Sequence, residues 1–235
     1  ITKDYELGNP SRIFLDMNGK PHKFMRLRHV VHLWNKKLID HGVINLYRTQ
    51  EDLRVWNADK YYRLVRDIIN EDDWLRFWRW WPHTWENIDE NKHKSLYGKH
   101  HSGYPYDVNL FKQTFMSLVS ETHSGDASCN DQFFLSEKLV KAIGNGHPFV
   151  VLSTPQYLKQ LKEYGYQTFS PWFDESYDTE QDPELRMVKA IDTMEKICKD
   201  GVSVQALGIA QRNQKILFSR ARTVRDAIKE IMINE

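Results

Sequence analysis

Ser136-Glu137-Lys138-Leu139-Val140-Lys141-Ala142, continued by Gly146 and the run Phe149-Val150-Val151-Leu152, is the stretch that decides the fold. Serine is a preferred helix N-cap because its hydroxyl accepts from a backbone N–H left free in the first turn. A helix over 136–145 opened by Ser136 follows. The apolar run between Pro148 and Ser153 has the length and composition of a buried strand. Upstream, Phe115-Met116-Ser117-Leu118-Val119-Ser120 reads as another. Strand, helix and strand in succession make a parallel α/β unit.

The same rhythm opens the chain. Asn9-Pro10 leads into Arg12-Ile13-Phe14-Leu15-Asp16-Met17, and Asn18-Gly19-Lys20-Pro21 is turn chemistry. Phe24, Leu27, Val31, Trp34 and Leu38 recur at helical spacing, with Pro21 suited to the first turn and Gly42 beyond the end. Val43 to Tyr47 then reads as a strand. Past residue 152, a helix over 155–164, a short strand over Gln167-Thr168-Phe169, and helices over 183–198 and from 205 onward are expected. The fold class is therefore α/β, with a Rossmann-like parallel sheet.

Residues 49–105 break the rhythm. Helices are expected over 59–70 and 72–85, the second carrying Trp74, Trp78, Trp80, Trp81 and Trp85, before a polar, basic stretch that ends at Gly103-Tyr104-Pro105-Tyr106. The expected organisation is a first α/β part over 1–48, a helical Trp-rich insertion over 49–105, and a ligand-binding α/β part with C-terminal helices over 106–235.

Composition narrows the function. A net charge of +1 argues against holding nucleic acid by bulk electrostatics, which needs a concentrated basic surface. Cys129 and Cys198 form no CxxC pair, so neither a disulfide framework nor a structural zinc site is expected, and reduced thiols in the cytoplasm fit better. No apolar run approaches membrane-span length.

Chemistry concentrates where the strand over 115–120 ends. Its C-terminal end delivers Glu121 to the edge at which α/β proteins bind ligands, and Ser136 opens a helix at that edge. The free N–H groups and dipole of a helix N-terminus favour an anion, and Lys138 and Lys141 add positive charge. Glu137 has the chemistry to accept from both hydroxyls of a ribose diol. Capping and surface roles for the same residues remain open on spacing alone.

Ser136-Glu137-Lys138, Ala142, Gly146, His147-Pro148-Phe149-Val150-Val151, Pro155 and Tyr157-Leu158 resemble the donor motif of α-1,3-fucosyltransferase-like glycosyltransferases of viral or bacterial type. There a Thr-Glu-Lys opens a helix, and a Gly-x-Pro strand and Pro-x-Tyr-Leu turn follow. Glu121-Thr122-His123 looks like the family's Glu-Asn-Ser, and Leu15-Asp16-Met17-Asn18 with Pro21-His22-Lys23 like its Asn-then-Arg segment. The likeness covers mainly residues 11–48 and 112–175.

The resemblance implies a GT-B donor domain and a metal-independent enzyme that uses a nucleotide-sugar, GDP-sugars favoured, and no cofactor. Lys138 would meet the diphosphate, Glu137 the ribose and Lys23 the phosphates, Glu121 would line the donor sugar or order the loop, and Asn18, Ser136 and Lys141 would complete the donor site. The chain departs from the pattern where Lys23 replaces an arginine, losing bidentate phosphate recognition, and where Thr122 and Phe134 replace an amide and a phenol. Asp16, Glu86 and His101 are the candidates for the base that deprotonates an acceptor hydroxyl. Little sequence precedes Arg12, so the acceptor-binding partner domain either lies outside this chain or is replaced by the 49–105 insertion.

Other features read as structural first. Helical spacing of the tryptophans fits a buried aromatic face better than a platform for sugars or bases. His93, His100, His101 and His123 lack metal-ligand spacing, and no metal site is assigned. The basic residues of the last helix do not share one face, which disfavours a nucleic-acid groove. The expected partners are a nucleotide-sugar and a glycan or hydroxylated nucleobase acceptor. The alternative is a non-catalytic carbohydrate- or nucleic-acid-binding module on the same fold.

Overall fold

The computed structural model describes residues 10–18, 24–46, 57–81, 108–121 and 133–233. Four strands form one sheet: β1 (Arg12–Met17), β2 (Gly42–Asn45), β3 (Thr114–Ser120) and β4 (Phe149–Leu152), in the order β2-β1-β3-β4. Every pairing is parallel, with Asp16 beside Ile44 and Leu118, and Ser120 beside Leu152. Near-continuous burial along β3 and β4 is what a parallel sheet covered on both faces requires.

The covering helices are α1 (Phe24–Asn35), α2 (Ala58–Tyr62), α3 (Glu71–Trp80), α4 (Val108–Lys112), α5 (Glu137–Gly144), α6 (Tyr157–Glu163), α7 (Pro183–Asp200) and α8 (Val204–Ile233). His29 of α1 meets Asp16 and Asn18, so α1 lies on the face to which those side chains point. Neighbouring strand positions alternate faces. Ser117 and Glu121, one face away, meet His147 and Ser136 at the two ends of α5. The β1-to-β2 crossover thus covers one face and the β3-to-β4 crossover the other, and strand order reverses between β1 and β3. That reversal is the switch point of a doubly wound, Rossmann-like α/β sheet, whose carboxyl-end crevice is the usual ligand site.

Local chemistry explains the joints. Gly42 sits opposite Phe14, whose ring lies 2.4 Å from where a Cβ would be, so only hydrogen fits at the start of β2. Gly146, at φ +65°, ends α5: its N–H reaches the Ile143 carbonyl (3.0 Å) and the His147 N–H the Ala142 carbonyl (3.0 Å). This paired closure satisfies two of the helix's last carbonyls. His147, pulled down to about 4 by burial, is neutral at pH 7. It donates from Nε2 to the Phe111 carbonyl (2.8 Å) and accepts at Nδ1 from Ser117 Oγ (3.1 Å).

Residues 57–81 pack their aromatic rings onto α1. Tyr61, Trp74, Phe77 and Trp81 are buried in the same core as the sheet, and Trp34 meets Phe77 edge-on at 5.6 Å. A charged clamp seals the joint. The Arg28 guanidinium donates to both carboxylate oxygens of Asp67 (2.8 and 2.7 Å), to both of Glu184 (2.7 Å each) and to the Leu64 carbonyl (2.8 Å). It links α1, α7 and the turn after α2.

Two expected elements differ. The helix expected over 59–70 stops at Tyr62 and gives way to turns, because Arg28 takes the Leu64 carbonyl and Asn35 that of Ile68. Gln167-Thr168-Phe169 forms no strand: Asn213 takes both the N–H (2.9 Å) and the carbonyl (2.8 Å) of Gln167, and Glu175 accepts from the Phe169 N–H (2.6 Å). Side chains replace the ladder. The five-residue helix α4 had no counterpart in the sequence reading.

Candidate functional site

The carboxyl ends of all four strands carry buried polar side chains. At the end of β1 stand Asp16 and Asn18; at β2, Asn45; at β3, Ser120 and Glu121; beyond β4, Ser153 and Thr154, all at most 4% exposed. Backbone bonds hold the ends together, from the Asn18 N–H to the Asn45 carbonyl (3.0 Å) and from the Glu121 N–H to the Leu152 carbonyl (2.9 Å).

His29 organises the α1 side. Its Nε2 lies 2.9 Å from Asp16 Oδ2 and 3.1 Å from Asn18 Nδ2, and its Nδ1 lies 3.1 Å from the Met25 carbonyl. Asp16, fully buried, is therefore first a partner that fixes the imidazole. Its second oxygen, Oδ1, has no partner among the described residues, and neither do Asn18 Oδ1, Asn45 Oδ1, Ser120 Oγ and Thr154 Oγ1. A buried acceptor left this way costs roughly 1–3 kcal/mol until a donor arrives.

Glu121 organises the α5 side. Its carboxylate faces the Ser136 hydroxyl and backbone N–H at the helix N-terminus, with neither oxygen in a formed hydrogen bond. Burial pushes this carboxyl up, against the lowering pull of Ser136 and Lys138, and the nearby Glu137 charge adds to the rise. Ser136 caps α5 by accepting from the Lys138 N–H (3.1 Å). Lys138 Nζ donates to Glu137 Oε1 (3.0 Å); the lysine side chain is 8% exposed and the glutamate 53%. Burial works to raise Glu137, but the Lys138 hydrogen bond and charge outweigh it and the carboxyl is lowered. Lys141 is held below the usual lysine range by burial, partly offset by Glu137.

The segment entering α5 is held by aromatic packing. Phe133 stacks on Tyr164 at 4.7 Å and leans on Tyr157 at 4.9 Å, while the Tyr157 hydroxyl donates to the Phe134 carbonyl (3.1 Å). The N-terminus of α6 is closed differently: Asp178 accepts from the N–H groups of Leu158 (2.8 Å) and Lys159 (3.3 Å).

The structure thus brings Asn18, Asp16, Glu121, Ser136, Glu137, Lys138 and Lys141 to one end of the sheet. Asp16 and Asn18 lie on the α1 side, the others on the α5 side. Lys23, Glu86, His101, Thr122 and His123 lie outside the described residues. His29, Asn45, Ser120 and Thr154 were not singled out from sequence. The signal that finds three of them is positional: each ends or closely follows an apolar strand run. His29 has a different signature, a polar residue on the apolar stripe of α1. Among the described residues no cluster of three or more histidines, cysteines or carboxylates is arranged to hold a metal.

The site can present acceptors to hydroxyls on the α1 side, and a helix N-terminus with two lysines to an anion on the α5 side. In comparisons with protein-family models, curated proteins and solved structures, nothing matches this chain. The sheet itself defines the class, a Rossmann-like α/β protein. No helix of the described residues is long and apolar enough to cross a membrane.

Proposed function

We propose that this protein is a GT-B-type glycosyltransferase that moves a sugar from a nucleotide diphosphate donor to a hydroxyl acceptor, on a glycan or a hydroxylated nucleobase. One observation carries the reading: unpartnered buried acceptors and a lysine-bearing helix N-terminus meet at the switch point. A nucleotide-sugar supplies what each half needs. Its diphosphate takes the α5 N-terminus and Lys138, displacing Glu137, which at 53% exposure is free to swing away. Glu137 then accepts from the ribose diol. Sugar hydroxyls donate to Glu121, Ser120 and Asp16. In the reaction the anomeric C–O bond to the phosphate breaks, a new C–O bond forms to the acceptor oxygen, and the nucleoside diphosphate leaves while a base takes the acceptor's proton.

A thermal-shift series with GDP-, UDP- and ADP-sugars tests this. Stabilisation by one nucleotide that disappears in Lys138→Ala supports it; the absence of any response overturns it. A second reading, a non-catalytic binding module, is favoured by the Glu121 carboxylate at the helix end where a phosphate would sit. Saturable carbohydrate or polynucleotide binding without sugar transfer, unaffected by Lys138→Ala, selects that reading.

A further inference from the structure

At the opposite end of the sheet lies an open cleft of about 640 Å³. Its walls are the end of α1, the turn before β2, the turn after α2 and the exposed side of α3. We propose that it is a second carbohydrate-binding site, taking a neutral oligosaccharide. The proposal does not rest on sugar transfer at the crevice.

Two indoles form its apolar side. Trp34 and Trp80 lie 5.5 Å apart with planes inclined at 48°, and both line the cleft and remain partly open. Trp74, Phe77 and Trp81 of the same cluster are sealed in the core at 2% exposure or less. Burying an aromatic face therefore accounts for those three in full, whereas Trp34 and Trp80 pack on the core and leave part of each ring open at the cleft. Partly open tryptophans in a concave surface supply a rigid, large contact area for a ligand at low entropic cost.

The rim selects the ligand class. Lys37, Arg76, Asp40 and Asp73 line the cleft together with Asn35 and Asn70. Two positive and two negative side chains balance, so the cleft has no charge excess with which to draw a polyanion or a polycation. Planar amide, carboxylate and guanidinium groups suit hydroxyls, which donate and accept at once. A pyranose offers this combination, with an apolar C–H face to lay on an indole and a rim of hydroxyls. A nucleobase offers a flat face but brings phosphates, and a rim whose Lys37 and Arg76 are offset by Asp40 and Asp73 has no net positive charge to draw them.

The cleft is separate from the crevice. Asp40, on its rim, accepts at its carbonyl from Arg12, the first residue of β1, whereas Asp16 and Asn18 close the other end of that strand. A six-residue strand separates the two by roughly 20 Å. An extended glycan held at the cleft would be tethered to the protein independently of any donor.

The test titrates maltotriose, cellotriose, chitotriose and mannotriose, without nucleotide, read by tryptophan fluorescence and by protein-observed NMR. At least one trisaccharide is expected to saturate and to shift the Trp34 and Trp80 indole signals. Arg76→Ala and Asp40→Ala, both exposed and remote from the core, are expected to weaken it at least tenfold with unchanged circular dichroism, and Lys138→Ala to leave it unchanged. The proposal is overturned if none of the four binds, if Lys138→Ala abolishes binding while the cleft variants do not, or if a single-stranded oligonucleotide shifts the same indoles and the sugars do not.

Discussion

Two polar clusters, set on the neighbouring residues Arg28 and His29 of α1, are built to opposite rules. Around Arg28 every guanidinium donor finds an acceptor, and three parts of the chain are joined by the result. Around Asp16 and Glu121 the acceptors outnumber the donors, and seven buried oxygens, two of them on Glu121, are left without partners among the described residues. The Arg28 side chain is as buried as the strand-end groups, though its carboxylate partners Asp67 and Glu184 reach solvent at 60% and 33% exposure; satisfaction is what separates the two clusters. A satisfied cluster holds architecture, while an unsatisfied one at a strand-end crevice is shaped for something that binds there.

The contrast breaks most readily at Arg28. Arg28→Ala removes the cation between Glu184 and Asp67, which keep access to solvent, and is expected to cost about 2–3 kcal/mol in denaturant unfolding. A loss below about 1 kcal/mol would show the clamp to be ornamental and the comparison unsound.

Glu121→Gln is expected to run the other way. Removing a buried, unpaired charge should stabilise the free protein by roughly 1–3 kcal/mol at neutral pH while weakening donor binding. The sign of the pH dependence follows from the raised carboxyl. The folded form holds its proton more tightly than the unfolded chain. Stability is therefore greatest below the ordinary carboxylate value of 4.5 and falls as pH rises through the folded value. Melting curves from pH 4 to 8 should show that slope shrink in the variant; an unchanged slope assigns the dependence elsewhere.

Lys138→Ala sharpens the functional half. Nucleotide affinity should fall at least tenfold, about 1.4 kcal/mol, measured by calorimetric titration, with the unliganded melting temperature nearly unchanged. The smallest effect is expected at Asp67→Asn. Its carboxylate is bidentate to Arg28 but 60% exposed, so unfolding should register less than about 1 kcal/mol. A larger loss would mean that the clamp works through Asp67 rather than through the more buried Glu184.

Much of the frame was legible in sequence because it rests on local signals. The Ser136 cap, the helix it opens and the apolar run at 149–152 are read by rules spanning a few residues, and each appears where expected. What failed depended on distant side chains. Nothing within 167–169 reveals that Asn213 and Glu175 satisfy its backbone, and nothing within 63–69 reveals Arg28. The candidate site divides the same way. Glu121 and the Ser136 segment were visible as a strand end and a helix start, whereas the pairing of His29 with Asp16 needed the helix to be laid on the strand.

The indole of Trp81 donates to the Leu46 carbonyl at 2.8 Å, one residue beyond β2. That bond joins the parallel sheet to the aromatic segment over 57–81. A sheet edge ending in an unsatisfied carbonyl invites another strand; here the Trp81 indole occupies it. Without that ring the Leu46 carbonyl loses its donor at the sheet edge, and residues 57–81 lose their direct tie to the end of β2.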